Sequence, residues 1–195
     1  MNQLFEIIQS FDLSVIQWIF QTGGTSLLDQ FAIFLHWIGT FRIFAILLGI
    51  FLWSKKETRP IAIILLISVF ASIIATTLIK ELIDRPRPYI MLGLTAADMP
   101  VLTDPTASFP SGHTASAFAV AAVISYYFRK WTGPALVLAA AAGLARIYLL
   151  VHYPSDVAAG ALVGMTASLA VIYIAKKLEE NKTFKSWKTD RKKDG

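Results

Sequence analysis

Residues 61–88 read IAIILLISVFASIIATTLIKELIDRPRP, and this stretch decides the class of the fold. From Ile61 to Ile79 there is no charged residue, and the run has about the length a helix needs to cross a hydrocarbon core of roughly 30 Å. Its serines and threonines can bond carbonyls of their own helix, so they cost little there. The run ends at Lys80-Glu81-Leu82-Ile83-Asp84 and then Arg85-Pro86-Arg87-Pro88. Two prolines two apart forbid further helix. A spanning helix that finishes on three cations is the first sign of a chemical site.

The rest of the chain extends the same reading. Apolar residues make up 55% of the 195, and the mean hydropathy is +0.58. This is an integral membrane protein, which excludes a soluble enzyme. The absence of cysteine removes disulfides and thiolate metal sites. Upstream, residues 4–20 are apolar but carry Glu6, Gln9, Ser10 and Asp12. They form either a first span or an amphipathic helix lying in the interface. Without a basic leading segment they do not read as a cleaved signal peptide. After a turn at Gln21–Thr25 the chain is apolar from Leu27 to Trp53, broken by Asp29, His36, Gly39 and Arg42. His36, far from the motifs in sequence, reads as a paired structural histidine.

Downstream, more than twenty residues separate Pro88 from Pro110, a loop length that is usually functional or disordered. Within it Tyr89-Ile90-Met91-Leu92 is apolar enough to lie against lipid or a substrate tail. A small-residue helix is expected from near Ser111 to Phe128, and another from Gly133-Pro134 to about Leu150. His152–Asp156 reads as a turn with Ser155 as an N-cap. The last span, Val157–Ala175, carries Gly160 and Gly164, a face for close helix packing within the monomer. The fold class is all-α, a polytopic membrane bundle. Residues 1–175 form the embedded domain and 176–195 a basic cytoplasmic tail.

Charge orients the bundle. The net charge is +5, and the tail from Lys176 holds eight Lys/Arg against four Asp/Glu. A position flanking the membrane accounts for that tail, so nucleic acid is not a partner. The clusters Lys55/Lys56/Arg59 and Arg129/Lys130 join it on the cytoplasmic side by the positive-inside rule. Counting spans then places three stretches together on the opposite side: Lys80–Pro88, Ser111–His113 and Arg146–Asp156. Basic residues on the side that should lack them call for a function.

Those stretches supply a coherent set of groups. Lys80, Arg87 and Arg146 offer donors for phosphate oxygens, arginine in a bidentate way. Ser111 and Gly112 open a helix whose first N–H groups favour an anion. Fixed positive charge on an oxyanion is the main stabilising contribution in phosphoryl transfer. One neutral histidine can attack phosphorus while a carboxylate holds its other nitrogen. His152 has Asp156 nearby in sequence and is the better nucleophile; His113 is the better acid/base. Arg146 and His152 converge only if the helix ends near Leu150 and the chain turns, which Pro154 permits.

The pattern Lys80-x6-Arg87-Pro88, Pro110-Ser111-Gly112-His113 and Arg146-x5-His152-x3-Asp156 resembles the three-part signature of type 2 phosphatidic acid phosphatases. That family shares its site with vanadium haloperoxidases and glucose-6-phosphatase. The resemblance implies six helices and a metal-independent phosphatase without a cofactor. It implies a His152 nucleophile helped by Asp156, with His113 as acid/base. It implies phosphate binding by Lys80, Arg87, Ser111, Gly112 and Arg146. Ala145 departs from the serine usual before that arginine, and Arg85 fits the charge but not the spacing. The partners implied are the bilayer and a membrane lipid substrate: undecaprenyl pyrophosphate, phosphatidylglycerophosphate or phosphatidic acid. The alternative from another class is a non-catalytic phospholipid-headgroup binder or scaffold, against which the His152–Asp156 pair argues.

Overall fold

The apolar periodicity resolves into helices in the computed structural model, which describes residues 3–38, 41–101 and 107–191. In chain order these are α1 (Gln3–Thr22), α2 (Ser26–Ile38), α3 (Phe41–Trp53), α4 (Arg59–Leu82), the short α5 (Pro88–Met91), α6 (Gly112–Tyr127), α7 (Thr132–Tyr148) and α8 (Pro154–Arg191). No strand occurs among the described residues. The segments containing α4 and α8 have the length and apolarity to cross a membrane, at Lys56–Leu82 and Pro154–Asn181.

α6 occupies the centre and packs against α4, α7 and α8. Its residues are small, and they are buried around most of the helix: Thr114, Ala115, Ser116, Ala117, Ala119, Val120, Ala121 and Val123. A helix apolar all round belongs inside a bundle. Leu65, Val69, Ala139 and Ile172 close over it from α4, α7 and α8. α8 approaches closely because it presents glycine. A Cβ on Gly160 would stand 2.5 Å from the Ser111 carbonyl oxygen, and one on Gly164 would stand 3.0 Å from the Cα of Ala115 and closer still to its carbonyl oxygen. The small-residue face is therefore used within the monomer, as its sequence suggested.

Helix direction brings the site segments to one end. α4 and α7 finish where α6 and α8 begin, and backbone bonds tie these ends together. Ser111 N–H donates to the Asp156 carbonyl at 3.0 Å, and Ser108 N–H to the Arg85 carbonyl at 2.8 Å. At the other end Lys176 lies over the Tyr126 ring, 4.9 Å from its centroid.

The broken run from Leu27 to Trp53 holds two 13-residue helices; Gly39, one of its breaks, lies outside the described residues. Three details depart from the sequence reading. Ser155 does not cap α8, which starts one residue earlier at Pro154. α8 does not stop near Ala175 but continues to Arg191, and the last four residues of the tail lie outside the described ones. Tyr89 is buried with Val101, Ala145 and Leu149, while Ile90 and Met91 are exposed.

Glycine at the α6–α8 contact gives a direct test. Gly164→Ala should cost about 1–3 kcal/mol of stability through the forced shift of α8 against backbone. Gly133→Ala, which meets nothing within 4 Å, should change it by less than about 0.5 kcal/mol. Thermal melts of the detergent-solubilised variants check the difference.

Candidate active site

The site is built on the turn between α7 and α8. α7 ends at Tyr148, and Leu150 adopts the left-handed conformation, φ 56°, at a position where glycine is usual. That turn folds the chain back, so the N–H groups of Val151 and His152 both reach the Arg146 carbonyl at 3.2 Å. The convergence of Arg146 and His152 thus depends on Leu150, with Pro154 only opening the next helix. The proline segment is laced to the same turn. Tyr89 N–H donates to the Leu150 carbonyl at 3.1 Å, and Arg87 Nη1 to the Val151 carbonyl at 3.2 Å.

Burial here is unusual for charged groups. Arg87, Arg146, His152 and Asp156 are each at most 4% exposed. His152 Nδ1 faces Asp156 Oδ2 at 3.5 Å, a separation longer than a formed hydrogen bond. Asp156 is itself fixed: Oδ2 accepts Tyr153 N–H at 2.9 Å, and Oδ1 accepts Arg85 Nη1 at 2.7 Å. Burial pushes the His152 imidazole down to about 4, with Arg146 and Arg87 adding to the effect and Asp156 opposing it. The ring is therefore neutral at pH 7, with a lone pair available.

The start of α6 is held differently. The Ser111 hydroxyl caps the helix and accepts from Thr114 Oγ1 at 2.9 Å. The first-turn N–H groups point out of the helix end, where anions are favoured. Lys80 Nζ donates to the Ala107 carbonyl, which ties α4 to the loop before Pro110. Ala145 is buried against Leu149 and Val151, an apolar place where a serine would need a partner.

Three side chains that the motifs did not single out as site groups come to this place. His36, on α2, bonds through Nδ1 to Arg146 Nη1 and stacks on the His113 ring, with centroids 5.9 Å apart. It is paired, as a structural histidine should be, but it is not far from the motifs. Arg85, set aside on its spacing, bonds Asp156. It also bonds Asp12 of α1 at 2.7 Å and lies 3.9 Å over the Tyr153 ring. Asp12 completes the group with full burial. The sequence carried one signal for it: an acid near the middle of a largely apolar helix.

A helical bundle with a buried histidine–carboxylate pair among arginines has the groups that phosphoryl transfer needs. A family model described as the PAP2 superfamily matches residues 61–180. The bacitracin transport permease protein BcrC of Bacillus licheniformis is 31% identical over 153 residues, 73% of this chain and 71% of that one. The undecaprenyl-diphosphatase BcrC of Bacillus subtilis is 29% identical over 140 residues, 72% of this chain and 71% of that one. The crystal structure of Aquifex aeolicus LpxE superposes with a TM-score of 0.70 at 28% identity, covering 83% of this chain and 94% of that one. The chain belongs to the PAP2 superfamily and is a membrane phosphatase.

The state of His152 sets a pH expectation. Because its folded value lies below the ordinary 6.5, its contribution to stability is full above 6.5 and is lost as pH falls toward about 4. An NMR titration of the purified protein should find the His152 ring still neutral at pH 6. A midpoint at 6.5 or above would show that the ring is not buried in this way.

Proposed function

We propose that the chain hydrolyses a phosphomonoester or pyrophosphate of a membrane lipid through a phosphohistidine on His152, without a metal. The observation that carries this is a buried, neutral His152 facing Asp156, with Arg87 and Arg146 beside it. Arg146 Nε is buried with no hydrogen-bond partner among the described residues, a donor suited to a phosphate oxygen.

In this mechanism Lys80, Arg87, Ser111, Gly112 and Arg146 hold the phosphate and offset the charge spread over its oxygens. The His152 Nε2 lone pair attacks phosphorus in line with the ester or anhydride oxygen. The bond to that oxygen breaks, and His113 gives it a proton. Asp156 holds Nδ1–H and stabilises the cationic ring that forms. His113 then takes a proton from water, which attacks the phosphohistidine and releases inorganic phosphate. The imidazole returns to its starting state.

The preferred substrate is a polyprenyl pyrophosphate such as undecaprenyl pyrophosphate, within a broad range that includes phosphatidylglycerophosphate and phosphatidic acid. An undecaprenyl-diphosphatase among the relatives supports this choice. The chain crosses the bilayer several times. The basic clusters at Lys55–Arg59, Arg129–Lys130 and beyond Lys176 favour a cytoplasmic location for their end. The site then opens on the non-cytoplasmic face, level with lipid headgroups.

Phosphate release from undecaprenyl pyrophosphate by the purified protein tests the reading. His152→Ala should lower turnover by about 10³-fold or more while lipid binding survives. Vanadate, a mimic of five-coordinate phosphorus, should inhibit, and EDTA should leave the rate intact. Near-normal turnover by the alanine variant, or full dependence on added Mg²⁺, would contradict the mechanism.

A further inference from the structure

We propose that Asp12, acting through Arg85, is a positioning residue for the Asp156–His152 pair, which makes the N-terminal helix part of the catalytic apparatus. This rests on the phosphohistidine reading above. Asp12 lies on α1, outside the residues that the family model matches.

α1 is an unexpected place for a buried acid. Leu4, Phe5, Ile7, Phe11 and Trp18 are exposed along it, whereas Asp12 is 0% exposed. A carboxylate taken out of water costs several kcal/mol unless it is paired and hydrogen-bonded. Here it is bonded on both oxygens. Oδ1 accepts the Ser155 backbone N–H at 3.0 Å. Oδ2 accepts Arg85 Nη2 at 2.7 Å and the Ser155 hydroxyl. The same guanidinium uses Nη1 for Asp156 Oδ1 and the Ser155 hydroxyl, both at 2.7 Å. One arginine thus bridges two buried carboxylates, and its plane is held against the Tyr153 ring.

The consequence for His152 is both geometric and electrostatic. Arg85 and Tyr153 N–H fix the Asp156 carboxylate so that Oδ2 faces the ring. Asp12, Arg85 and Asp156 together carry one net negative charge, which partly offsets the Arg87 and Arg146 charges that act on the imidazole. Without Asp12, Arg85 would neutralise Asp156 alone, and the carboxylate would support the cationic ring less. Docking α1 is a separate matter. Ile16 does that, buried against Ile147 and Tyr153.

The test separates positioning from docking. Asp12→Asn should lower kcat about tenfold or more with KM within about twofold, whereas Ile16→Ala should leave kcat near that of the wild type. Arg85→Lys keeps the charge but loses the two-pronged bridge, and should reproduce the loss. It carries the test if Asp12→Asn fails to fold. The double variant should lose no more than Arg85→Lys alone, because both act through one contact. Ring ¹⁵N shifts of His152 read the same network without turnover. The wild type should show one Nδ1–H tautomer and Asp12→Asn a mixture. A single tautomer in Asp12→Asn, multiplicative losses in the double variant, or an equal kcat loss in Ile16→Ala would overturn the proposal. A wild type that releases no phosphate would sink the phosphatase mechanism instead, and the ¹⁵N shifts would still decide the positioning.

Discussion

Everything at this end of the bundle depends on satisfying the buried carboxylate of Asp156. The side chain is fully inside, and the groups around this residue are recruited from three parts of the chain. Arg85 arrives from the proline segment after α4, Tyr153 N–H from the turn after α7, and the His152 ring from one turn back along the sequence. The Asp156 main chain contributes as well, since its carbonyl receives Ser111 N–H and so fixes the start of α6. A buried charge left without these partners would cost more than most single contacts supply. The energetic requirement of one acid therefore assembles the three motif segments.

That assembly is possible because the helices beneath it can come close. The residues α6 buries are alanine, serine and small β-branched ones, and α8 meets it with glycines at 160 and 164. Where lipid surrounds a bundle, contact between helices comes from fit and not from expulsion of water, so small residues serve better than large ones. Gly160 meets the Ser111 carbonyl itself, so packing and site geometry share an atom. The core of the fold is continuous with the floor of the site.

Much of this was legible in the sequence. The apolar run to Ile79 and the stop at Pro86 and Pro88 place α4 within a few residues, and the breaks at Ser111, Arg129-Lys130 and Gly133-Pro134 do the same for α6 and α7. The motif residues could be brought together by counting spans, because each lies at a helix end. What the sequence hid was of two kinds. Leu150 turns the chain with a conformation that its side chain disfavours, so no turn residue marked the position. Asp12 and His36 are single polar residues whose hydrogen-bond partners stand 73 to 143 positions away. Periodicity senses neighbours within a turn or two and carries no information over such distances. Arg85 was visible but undervalued, because its two carboxylate partners come from opposite ends of the chain.

α8 holds a mechanical implication. Its 38 residues, with no proline after the first, form a rod of about 57 Å, against about 30 Å for the hydrocarbon of a bilayer. The basic segment beyond the bundle is thus a stiff spar and not a loose tether. Each turn carries its backbone about 5.4 Å farther along the axis, while attraction to anionic headgroups fades over about 8 Å of physiological electrolyte. Lys176 and Lys177, nearest the bundle, lie against the Tyr126 and Tyr173 rings. A load applied to the outer turns travels, without a joint to absorb it, down the helix that bears Asp156.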